Sequence, residues 1–300
     1  MGKIVDIITL GRPMPFPPHV IAGLSGVVMS YAYYKPTISD PTSFLVMAIF
    51  ASCLMGFANA ASNIFNQITD LEIDRINKPN RPLPSGRVSV SGAAAISSVI
   101  YLAVILLSFT VNQNFAGAIG AFVIITVLYS VPPFLLKKRL WISNASIAMA
   151  RGVTLPIAGW CIVPGSSPLD PPIIAVSAFL FFFLLGASGT KDFSDIEGDK
   201  AHGMRTLPAE YGIDKAANII SYFFVVPLVL VPVFVAGGWL PTGCLIALVL
   251  LFWGAHIAKR LHDLAVNPKL GFENTGVWVH MYFLLVAAQV FLAAGFLIPV

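Results

Sequence analysis

The feature that most constrains this 300-residue chain is a series of long windows that contain no charged side chain. Several of them reach the roughly 20 apolar residues that a helix needs to cross about 30 Å of hydrocarbon. Hydrophobic residues make up 57% of the chain and charged residues only 11%, so few positions interrupt these windows. The apolar residues run continuously and do not alternate with polar ones, which favours helices over strands. An all-α integral membrane protein is predicted.

Nine transmembrane spans are predicted, with eight or ten as alternatives, because the fourth span is short and the fifth contains Arg151 and Pro156. The predicted spans are residues 17–34, 42–64, 92–111, 116–131, 142–163, 173–190, 217–237, 241–258 and 278–297. With nine spans, all 18 Lys and Arg residues except Lys35 and Arg151 fall on one side of the membrane. Cytoplasmic loops collect positive charge, so we expect a cytoplasmic amino terminus and a carboxyl terminus outside.

One membrane domain covering residues 1–300 is predicted, since no linker rich in Gly, Pro or Ser divides the chain. Residues 1–16 precede the first span and are expected to lie at the cytoplasmic interface. The net charge of +4 is explained by membrane topology, so nucleic acid is not an expected partner. The three cysteines lie in apolar spans without paired spacing, which indicates neither a disulfide framework nor a zinc site.

Two loops on the predicted cytoplasmic side resemble each other. Each has an Asp-x-Glu-x-Asp pattern that is followed by an arginine and then by a Leu-Pro pair. The residues concerned are Asp70, Glu72, Asp74 and Arg81 in the first loop, and Asp195, Glu197, Asp199 and Arg205 in the second. Four predicted spans separate the loops. This repeat predicts two similar four-helix halves with a ninth helix added, and a site where the halves meet.

The chemistry of these loops suits a hard metal ion. Asn66, Asp70 and Asp74 are spaced at intervals of four residues, which places them on one face of a helix that continues out of the second span. Asp195 and Asp199 repeat that spacing. Oxygen ligands without His or Cys suit Mg²⁺, which completes its coordination with water and phosphate oxygens. These five residues are the predicted metal ligands; the alternative is a solvated acidic loop or a helix-capping network.

Basic residues near both acidic clusters are predicted to bind the oxygens of a diphosphate and to stabilise it as a leaving group. The predicted diphosphate-binding residues are Asn66, Lys78, Arg81, Lys191 and Arg205. Positive-inside topology is the alternative explanation for the basic ones.

Two residues within the predicted spans are also singled out. Tyr129, at the end of the fourth span, is a candidate for stabilising an allylic cation with its ring, or else a member of the interfacial aromatic belt. Arg151 lies inside the fifth span, where a guanidinium needs a partner or a water-filled cavity. We therefore expect Arg151 to line the active-site cavity.

Residues 66–86 and 191–208 closely resemble the two signature motifs of the UbiA superfamily of intramembrane prenyltransferases. The order and separation of the motifs, the Tyr129-Ser130 segment and the nine predicted spans also agree, so the resemblance covers nearly the whole chain. It implies a nine-helix bundle whose central cavity opens sideways to lipid. It also implies that the five predicted metal ligands bind a prenyl diphosphate through Mg²⁺.

The implied reaction begins with ionisation of an isoprenyl diphosphate, for which geranylgeranyl diphosphate is the expected donor. A lipophilic acceptor then attacks the cation, while Mg²⁺ and basic residues neutralise the leaving group and the walls exclude water. Only a weak general base is needed, and either Asp192 or the diphosphate is expected to serve. The chain would thus be a multi-pass enzyme that transfers alkyl groups other than methyl, with its active site on the cytoplasmic side.

The sequence indicates the identity of the acceptor less clearly than it indicates the type of reaction. Residues 189–192 depart from the Tyr-Ala-x-x-Asp form that hydroxybenzoate prenyltransferases carry, whereas residues 77–86 resemble the archaeal-lipid, chlorophyll and homogentisate branches. Geranylgeranylglyceryl phosphate, the acceptor of a membrane-lipid pathway, is the preferred expectation. A homogentisate-like quinone precursor and chlorophyllide are the alternative acceptors. A membrane terpene cyclase, which needs no acceptor, and a non-enzymatic transporter are the competing classes.

Overall fold

The computed structural model describes residues 2–266 and 276–299, and every regular element in those ranges is a helix. The α-helices are α1 (Lys3–Leu10), α2 (Phe16–Tyr34), α3 (Pro41–Thr69), α4 (Leu71–Asn77), α5 (Val90–Ser108), α6 (Gln113–Ser130), α7 (Leu140–Ala148), α8 (Leu155–Trp160), α9 (Pro171–Ala187), α10 (Ile196–Ala201), α11 (Leu207–Tyr211), α12 (Ile213–Tyr222), α13 (Val226–Ala236), α14 (Leu251–Val266) and α15 (Gly276–Leu297). The prediction of an all-α protein is confirmed for the described residues.

Four segments wind differently from an α-helix. Three of them are 3₁₀-helical and one, between α7 and α8, is π-helical. They are Leu136–Lys138, Ser188–Ser194 and Thr242–Leu250, and the π-helical Met149–Thr154. The π-helical segment carries Arg151. Short π-helical turns within α-helices occur frequently at functional sites.

Seven helical stretches of the described chain are long and apolar enough to cross a membrane. They are Pro41–Thr69, Val90–Ser108, Gln113–Ser130, Pro171–Ser194, Ile213–Ala236, Thr242–Asp263 and Val277–Leu297. Each overlaps one predicted span. The other two predicted spans correspond to α2, which carries many small and polar side chains, and to the stretch from α7 to α8, which the π-helical segment divides into short pieces. Lys269, which was counted among the cytoplasmic basic residues, lies outside the described residues.

The outer surface of the bundle is apolar. The side chains of Leu45, Val99 and Phe252 are 58%, 65% and 82% exposed. A continuous apolar exterior of this kind would be unstable in water, whereas in a bilayer it contacts lipid. The surface therefore agrees with the membrane location predicted from the sequence.

Small residues allow the inner helices to approach closely. Helix α2 packs against α3, α8 and α15. Where α2 crosses α8, a Cβ atom added to Gly26 would lie only 2.5 Å from the backbone carbon of Gly159. Lipid tails are as apolar as side chains, so helices in a membrane associate through such close packing and not through a hydrophobic driving force. Glycine at both positions holds α2 against the helices that line the cavity described below.

Polar side chains hold the helix ends opposite the acidic motifs. At the start of α3, the Asp40 carboxylate accepts a hydrogen bond from the backbone N–H of Thr42 at 3.0 Å. At the start of α6, Asn112 accepts from the N–H of Phe115 at 2.9 Å and donates to the carbonyl of Cys161 at 2.7 Å. Side chains of this kind satisfy backbone groups that a helix leaves unpaired at its ends.

Substitution of Gly26 by leucine is expected to destabilise the bundle by about 1–3 kcal/mol or more, because the added side chain meets backbone and not a movable side chain. Gly117→Leu is the matched control, since nothing lies within 4 Å of a Cβ added at Gly117. Thermal unfolding of both variants in the same detergent measures the difference. Equal unfolding temperatures would contradict the close packing of α2 on α8.

Candidate active site

A cavity inside the helical bundle collects nearly all of the residues predicted to be functional. The predicted site residues that line it are Asn66, Asp70, Asp74, Lys78, Arg81, Tyr129, Lys191, Asp192, Asp195 and Asp199. Arg151 also lines it, as its position inside a span led us to expect. The two acidic motifs thus meet in one site although they are far apart in the sequence.

The first motif is built around an interruption of the helix. Helix α3 ends at Thr69, and Asp70 has φ −102° and ψ 9°, so the helix does not continue smoothly as predicted. The prediction of one unbroken helical face is therefore wrong in detail. The backbone N–H groups of Asp70 and Asp74 nevertheless donate to the carbonyls of Asn66 and Asp70, at 2.9 and 2.8 Å. These bonds carry the helical spacing across the break and keep the three side chains in the cavity.

The second motif repeats this local structure. Asp195 has φ −111° and ψ 4° and separates the 3₁₀-helical Ser188–Ser194 from α10. The N–H of Asp199 donates to the carbonyl of Asp195 at 2.9 Å, as that of Asp74 does to Asp70. The two motifs therefore share backbone conformation as well as residue spacing, which supports the internal repeat.

Asn77 joins the two motifs directly. Its side-chain nitrogen donates to the carbonyl of Asp195 at 3.1 Å, and its side-chain oxygen accepts from the N–H of Gly198 at 2.9 Å. A Cβ atom on Gly198 would lie 2.6 Å from this amide, so only glycine leaves room for the contact. We refer to Asn77 and Gly198 as the motif bridge. The sequence analysis did not single out Asn77, although Asn77 is the first residue of the run 77–86 on which the family resemblance partly depends.

Four of the five cavity aspartates form ion pairs. Asp70 pairs with Lys137 at 2.6 Å, Asp74 with Arg81 at 2.9 Å, Asp192 with Lys191 at 2.7 Å, and Asp195 with Lys78. In the Asp74–Arg81 pair, both carboxylate oxygens accept from the same guanidinium nitrogen, at 3.0 and 2.9 Å. In a site shielded from water, unpaired carboxylates so close together would repel one another. The paired cations offset that repulsion.

Lys137 is a member of this set that sequence reasoning missed. Its side chain is almost fully buried, and its Nζ lies 2.6 Å from Asp70 and 2.7 Å from the hydroxyl of Thr69. The sequence places Lys137 beside Lys138 and Arg139, and all three were attributed to positive-inside topology. The 3₁₀ turn at Leu136–Lys138 buries Lys137 and leaves Lys138 exposed. No pattern within three consecutive basic residues reveals which one points inward.

The two aspartates of the second motif differ in their electrostatic environment. Burial raises the pKa of Asp199 to about 7, and the nearby negative charge of Asp192 adds to that effect. The hydroxyl of Thr206, which donates to Asp199 at 3.0 Å, opposes it only in part. Burial also acts to raise the pKa of Asp195, but the ion pair with Lys78 outweighs it and holds that pKa below its usual value. Of these two carboxylates, that of Asp199 is the one whose negative charge a nearby cation would stabilise more.

The donor set of the cavity fits a hard divalent cation that arrives with a phosphate group. Asn66 and the aspartates present only oxygen atoms as ligands. Within the described ranges, no three His, Cys, Asp or Glu side chains converge into a complete metal cage. Mg²⁺ in phosphate sites uses one or two carboxylates and takes its other ligands from phosphate oxygens and water. The arrangement therefore suits a metal that binds together with an anionic substrate.

Arg205 lies outside the cavity, contrary to its prediction as a diphosphate-binding residue. Its guanidinium pairs with Glu210 at 2.8 Å on the surface, and its side chain is 59% exposed. The corresponding arginine of the first motif, Arg81, reaches the cavity because it bonds to Asp74. In the second motif Thr206 bonds to Asp199 in the same place. The repeat is therefore inexact at this position, and Arg205 does not line the cavity.

The remaining predicted residues lie on the cavity wall. Tyr129 accepts a weak hydrogen bond from the hydroxyl of Ser143 at 3.4 Å. Asp192 is buried against Lys191. Ser188, which was not predicted, also lines the cavity, and its buried hydroxyl has no hydrogen-bond partner among the described residues. The cavity wall thus combines an aromatic ring, a carboxylate and a free hydroxyl next to the motifs.

The bundle has an apolar exterior and encloses a cavity rich in aspartate, lysine and arginine, a combination that suits an anionic, phosphate-bearing ligand within a membrane. Comparison with known proteins identifies the class further. The UbiA prenyltransferase family matches residues 23–272, which is most of the chain. The chain therefore belongs to the UbiA prenyltransferase family and is an enzyme that transfers prenyl groups.

Named relatives of this chain include digeranylgeranylglyceryl phosphate synthases from archaea. That of Sulfurisphaera tokodaii is 31% identical over 211 residues, which cover 70% of this chain and 73% of the relative. That of Methanobrevibacter smithii is 26% identical over 289 residues, covering 93% and 95%. Both alignments span at least 70% of either protein.

Solved structures share the fold. A UbiA homolog from Archaeoglobus fulgidus superposes with a TM-score of 0.70 at 17% identity, covering 98% of this chain and all of that one. The same homolog bound to GPP and Mg²⁺ gives a TM-score of 0.67 at 18% identity, covering 97% and 98%. These identities are low, so the superpositions establish the architecture alone.

Asn77→Ala is expected to lower prenyl transfer at least tenfold, because it removes both hydrogen bonds of the motif bridge and leaves the N–H of Gly198 without its partner. Asn80→Ala is the matched control, since the Asn80 side chain is exposed. Steady-state kinetics on both purified variants measure the effect. Equal activities would show that the bridge does not hold the two motifs in their working arrangement.

Proposed function

We propose that this prenyltransferase moves a geranylgeranyl group from its diphosphate to geranylgeranylglyceryl phosphate, in the synthesis of membrane lipids. The observation that carries the proposal is the meeting of both acidic motifs and four paired cations in one cavity. The archaeal relatives named digeranylgeranylglyceryl phosphate synthase support the acceptor, and the A. fulgidus homolog bound to GPP and Mg²⁺ supports the type of donor and the metal.

The chain spans the membrane nine times as one domain of residues 1–300. Seven apolar stretches, α2 and the stretch from α7 to α8 together support this number. The Lys and Arg distribution supports a cytoplasmic amino terminus, an outside carboxyl terminus and an active site on the cytoplasmic side. Helix α1, within residues 1–16, exposes Ile4 and Ile8, which supports its location at the membrane interface.

Asn66, Asp70, Asp74, Asp195 and Asp199 would hold Mg²⁺, since their oxygen atoms line the cavity and suit this ion. Mg²⁺, when bound, supplies positive charge that neutralises the diphosphate. The environment of Asp199 agrees with this assignment, because burial disfavours its negative charge and a cation beside it would offset that cost.

Lys78, Arg81, Lys137 and Lys191 bind the diphosphate. Each of these cations is held at the cavity by an aspartate, so a phosphate oxygen entering the cavity finds donors already in place. Preorganised cations stabilise charge that develops on a leaving group without reorganising at the moment of reaction. They therefore favour cleavage of the allylic C–O bond.

Cleavage of the C–O bond leaves an allylic cation, which the cavity wall protects from water until the acceptor attacks it. Tyr129 presents an aromatic ring on the cavity wall, and an electron-rich ring face attracts a cation. The surrounding buried helices exclude the water that would otherwise quench the cation. The acceptor hydroxyl attacks the cation and loses its proton, for which Asp192 is the nearest candidate base at the wall, because it lies buried beside the second motif.

Product analysis by mass spectrometry tests the proposal. The purified protein, with geranylgeranyl diphosphate and Mg²⁺, is expected to convert geranylgeranylglyceryl phosphate into its digeranylgeranyl ether and to lose that activity in EDTA. Parallel reactions contain homogentisate, chlorophyllide or no acceptor. Transfer to one of those acceptors instead, or formation of a cyclic hydrocarbon without an acceptor, would overturn the proposed acceptor and leave the family assignment intact.

Lys137→Ala is expected to lower kcat/KM for the donor by about 10- to 100-fold, the range for loss of one or two charge-assisted hydrogen bonds. Lys138→Ala changes an adjacent lysine whose side chain is exposed, and it should retain activity within about twofold. Because both variants lose one positive charge from the same loop, membrane topology is affected equally. Parallel losses in the two variants would exclude the specific role of Lys137.

A further inference from the structure

Arg151 is a cation inside the bundle that has no carboxylate partner among the described residues. It lies on the π-helical segment, near the middle of the stretch from α7 to α8, and lines the cavity. Its Nε donates to the side-chain oxygen of Asn59 at 2.9 Å, and one terminal nitrogen donates to that of Asn63 at 3.4 Å. Both partners are neutral. No ion pair within the described chain includes Arg151, whereas the cations around the acidic motifs are each paired.

Arg12 is a second cation of this kind. It lines the same cavity, and no ion pair within residues 2–266 and 276–299 includes it. Its buried Nε has no hydrogen-bond partner among those residues. Burial and the positive charge of Arg81 lower its pKa. Its backbone has φ 53°, which a residue with a side chain rarely adopts. The fold thus holds Arg12 in a strained conformation that presents it to the cavity.

Asn63 links the two arginines. Its side-chain oxygen accepts from Arg151, and its side-chain nitrogen donates to the carbonyl of Gly11 at 3.4 Å, next to Arg12. Gln67, one turn further along α3, donates to the carbonyl of Leu10 at 2.5 Å. These bonds attach the turn before α2 to the same face of α3 that holds Arg151. Arg12 and Arg151 are therefore parts of one polar wall.

Arg151 lies deeper in the bundle than the site of the diphosphate. Asn59 and Asn63, which hold its guanidinium, precede Asn66 by seven and three residues on α3. A rise of 1.5 Å per residue places this level about 5 to 10 Å inward from Asn66 along the helix axis. The diphosphate already has four cations and the acidic motifs at the outer level. Arg151 is thus available for a different anion.

We propose that Arg151, assisted by Arg12, binds the anionic headgroup of the acceptor, namely the phosphate of a glyceryl phosphate. The assignment rests on the proposed function and names the part of the cavity that selects the acceptor. A guanidinium that lies within a membrane bundle and has only neutral partners is costly, and an anionic ligand offsets that cost. A guanidinium also offers paired donors that match phosphate oxygens.

The depth of Arg151 agrees with the size of such an acceptor. In a glyceryl phosphate, the phosphorus and a hydroxyl on the adjacent carbon are four bonds apart, a reach of about 4 Å. The hydroxyl must approach the reacting carbon to about 3–3.5 Å, and that carbon is two bonds from the phosphorus of the diphosphate. These lengths together match the offset of about 5 to 10 Å between Arg151 and Asn66. A phosphate held at Arg151 thus directs the adjacent hydroxyl towards the donor.

Two acceptors that differ only in the phosphate group test this assignment. Wild-type protein is expected to prefer geranylgeranylglyceryl phosphate to geranylgeranylglycerol. In Arg151→Gln, kcat/KM for the phosphate acceptor should fall at least tenfold, while kcat/KM for the neutral acceptor and KM for the donor stay within about threefold. For Arg151→Lys, kcat/KM for the phosphate acceptor should lie between the values of the wild type and of Arg151→Gln. Arg139→Gln, which changes an exposed arginine just before α7, should keep the wild-type preference.

A binding measurement without turnover completes the test. In EDTA and without donor, geranylgeranylglyceryl phosphate should raise the unfolding temperature of the wild type and of Arg139→Gln, but not that of Arg151→Gln. The assignment is overturned if Arg151→Gln loses activity on both acceptors in parallel, if its donor KM rises instead, or if the phosphate acceptor stabilises it as it does the wild type. Failure of the wild type to prenylate either acceptor would instead reject the proposed function.

Discussion

Charge balance inside a low-dielectric cavity is the constraint on which the rest of this structure depends. Five aspartates could not be brought together within a membrane bundle unless cations stood next to them. Lys78, Lys137 and Lys191 come from three separate segments of the chain, so the ion pairs bring distant parts of the sequence together. The same pairs that offset the repulsion among the aspartates also leave their cations at the cavity wall, where they can donate to phosphate oxygens. Stability and function therefore place the same demand on these residues.

Much of the fold and the central part of the site follow from the sequence, because both depend on local spacing. Charge-free windows predict helices, and four-residue intervals bring Asn66, Asp70 and Asp74 to one wall even though the helix breaks at Asp70. Features that depend on tertiary packing cannot be predicted from the sequence in this way. Lys137 and Lys138 are equivalent in the sequence, and only the 3₁₀ turn decides which one is buried.

The internal repeat was informative and also misleading, for a physical reason. Asp70 and Asp195 take almost the same backbone conformation, so the repeat correctly predicts how each motif presents its carboxylates. Beyond the motifs the two halves diverge, and Arg81 and Arg205 illustrate this. Arg81 bonds to Asp74, whereas the equivalent place beside Asp199 is taken by the hydroxyl of Thr206. The similarity of the two motifs predicts their shared backbone conformation, but it does not predict which side chain bonds to the second aspartate of each motif.

The motif bridge also has a consequence for the order in which the protein assembles. The first half of the chain can neutralise Asp70 and Asp74 by itself, because Lys137 and Arg81 precede the second half. Asn77, in contrast, waits for Gly198 and for the backbone of Asp195, which are synthesised more than a hundred residues later. The two motifs can therefore be joined only after the later helices have been synthesised and inserted. A partly inserted chain lacks the second motif and the backbone groups that Asn77 contacts.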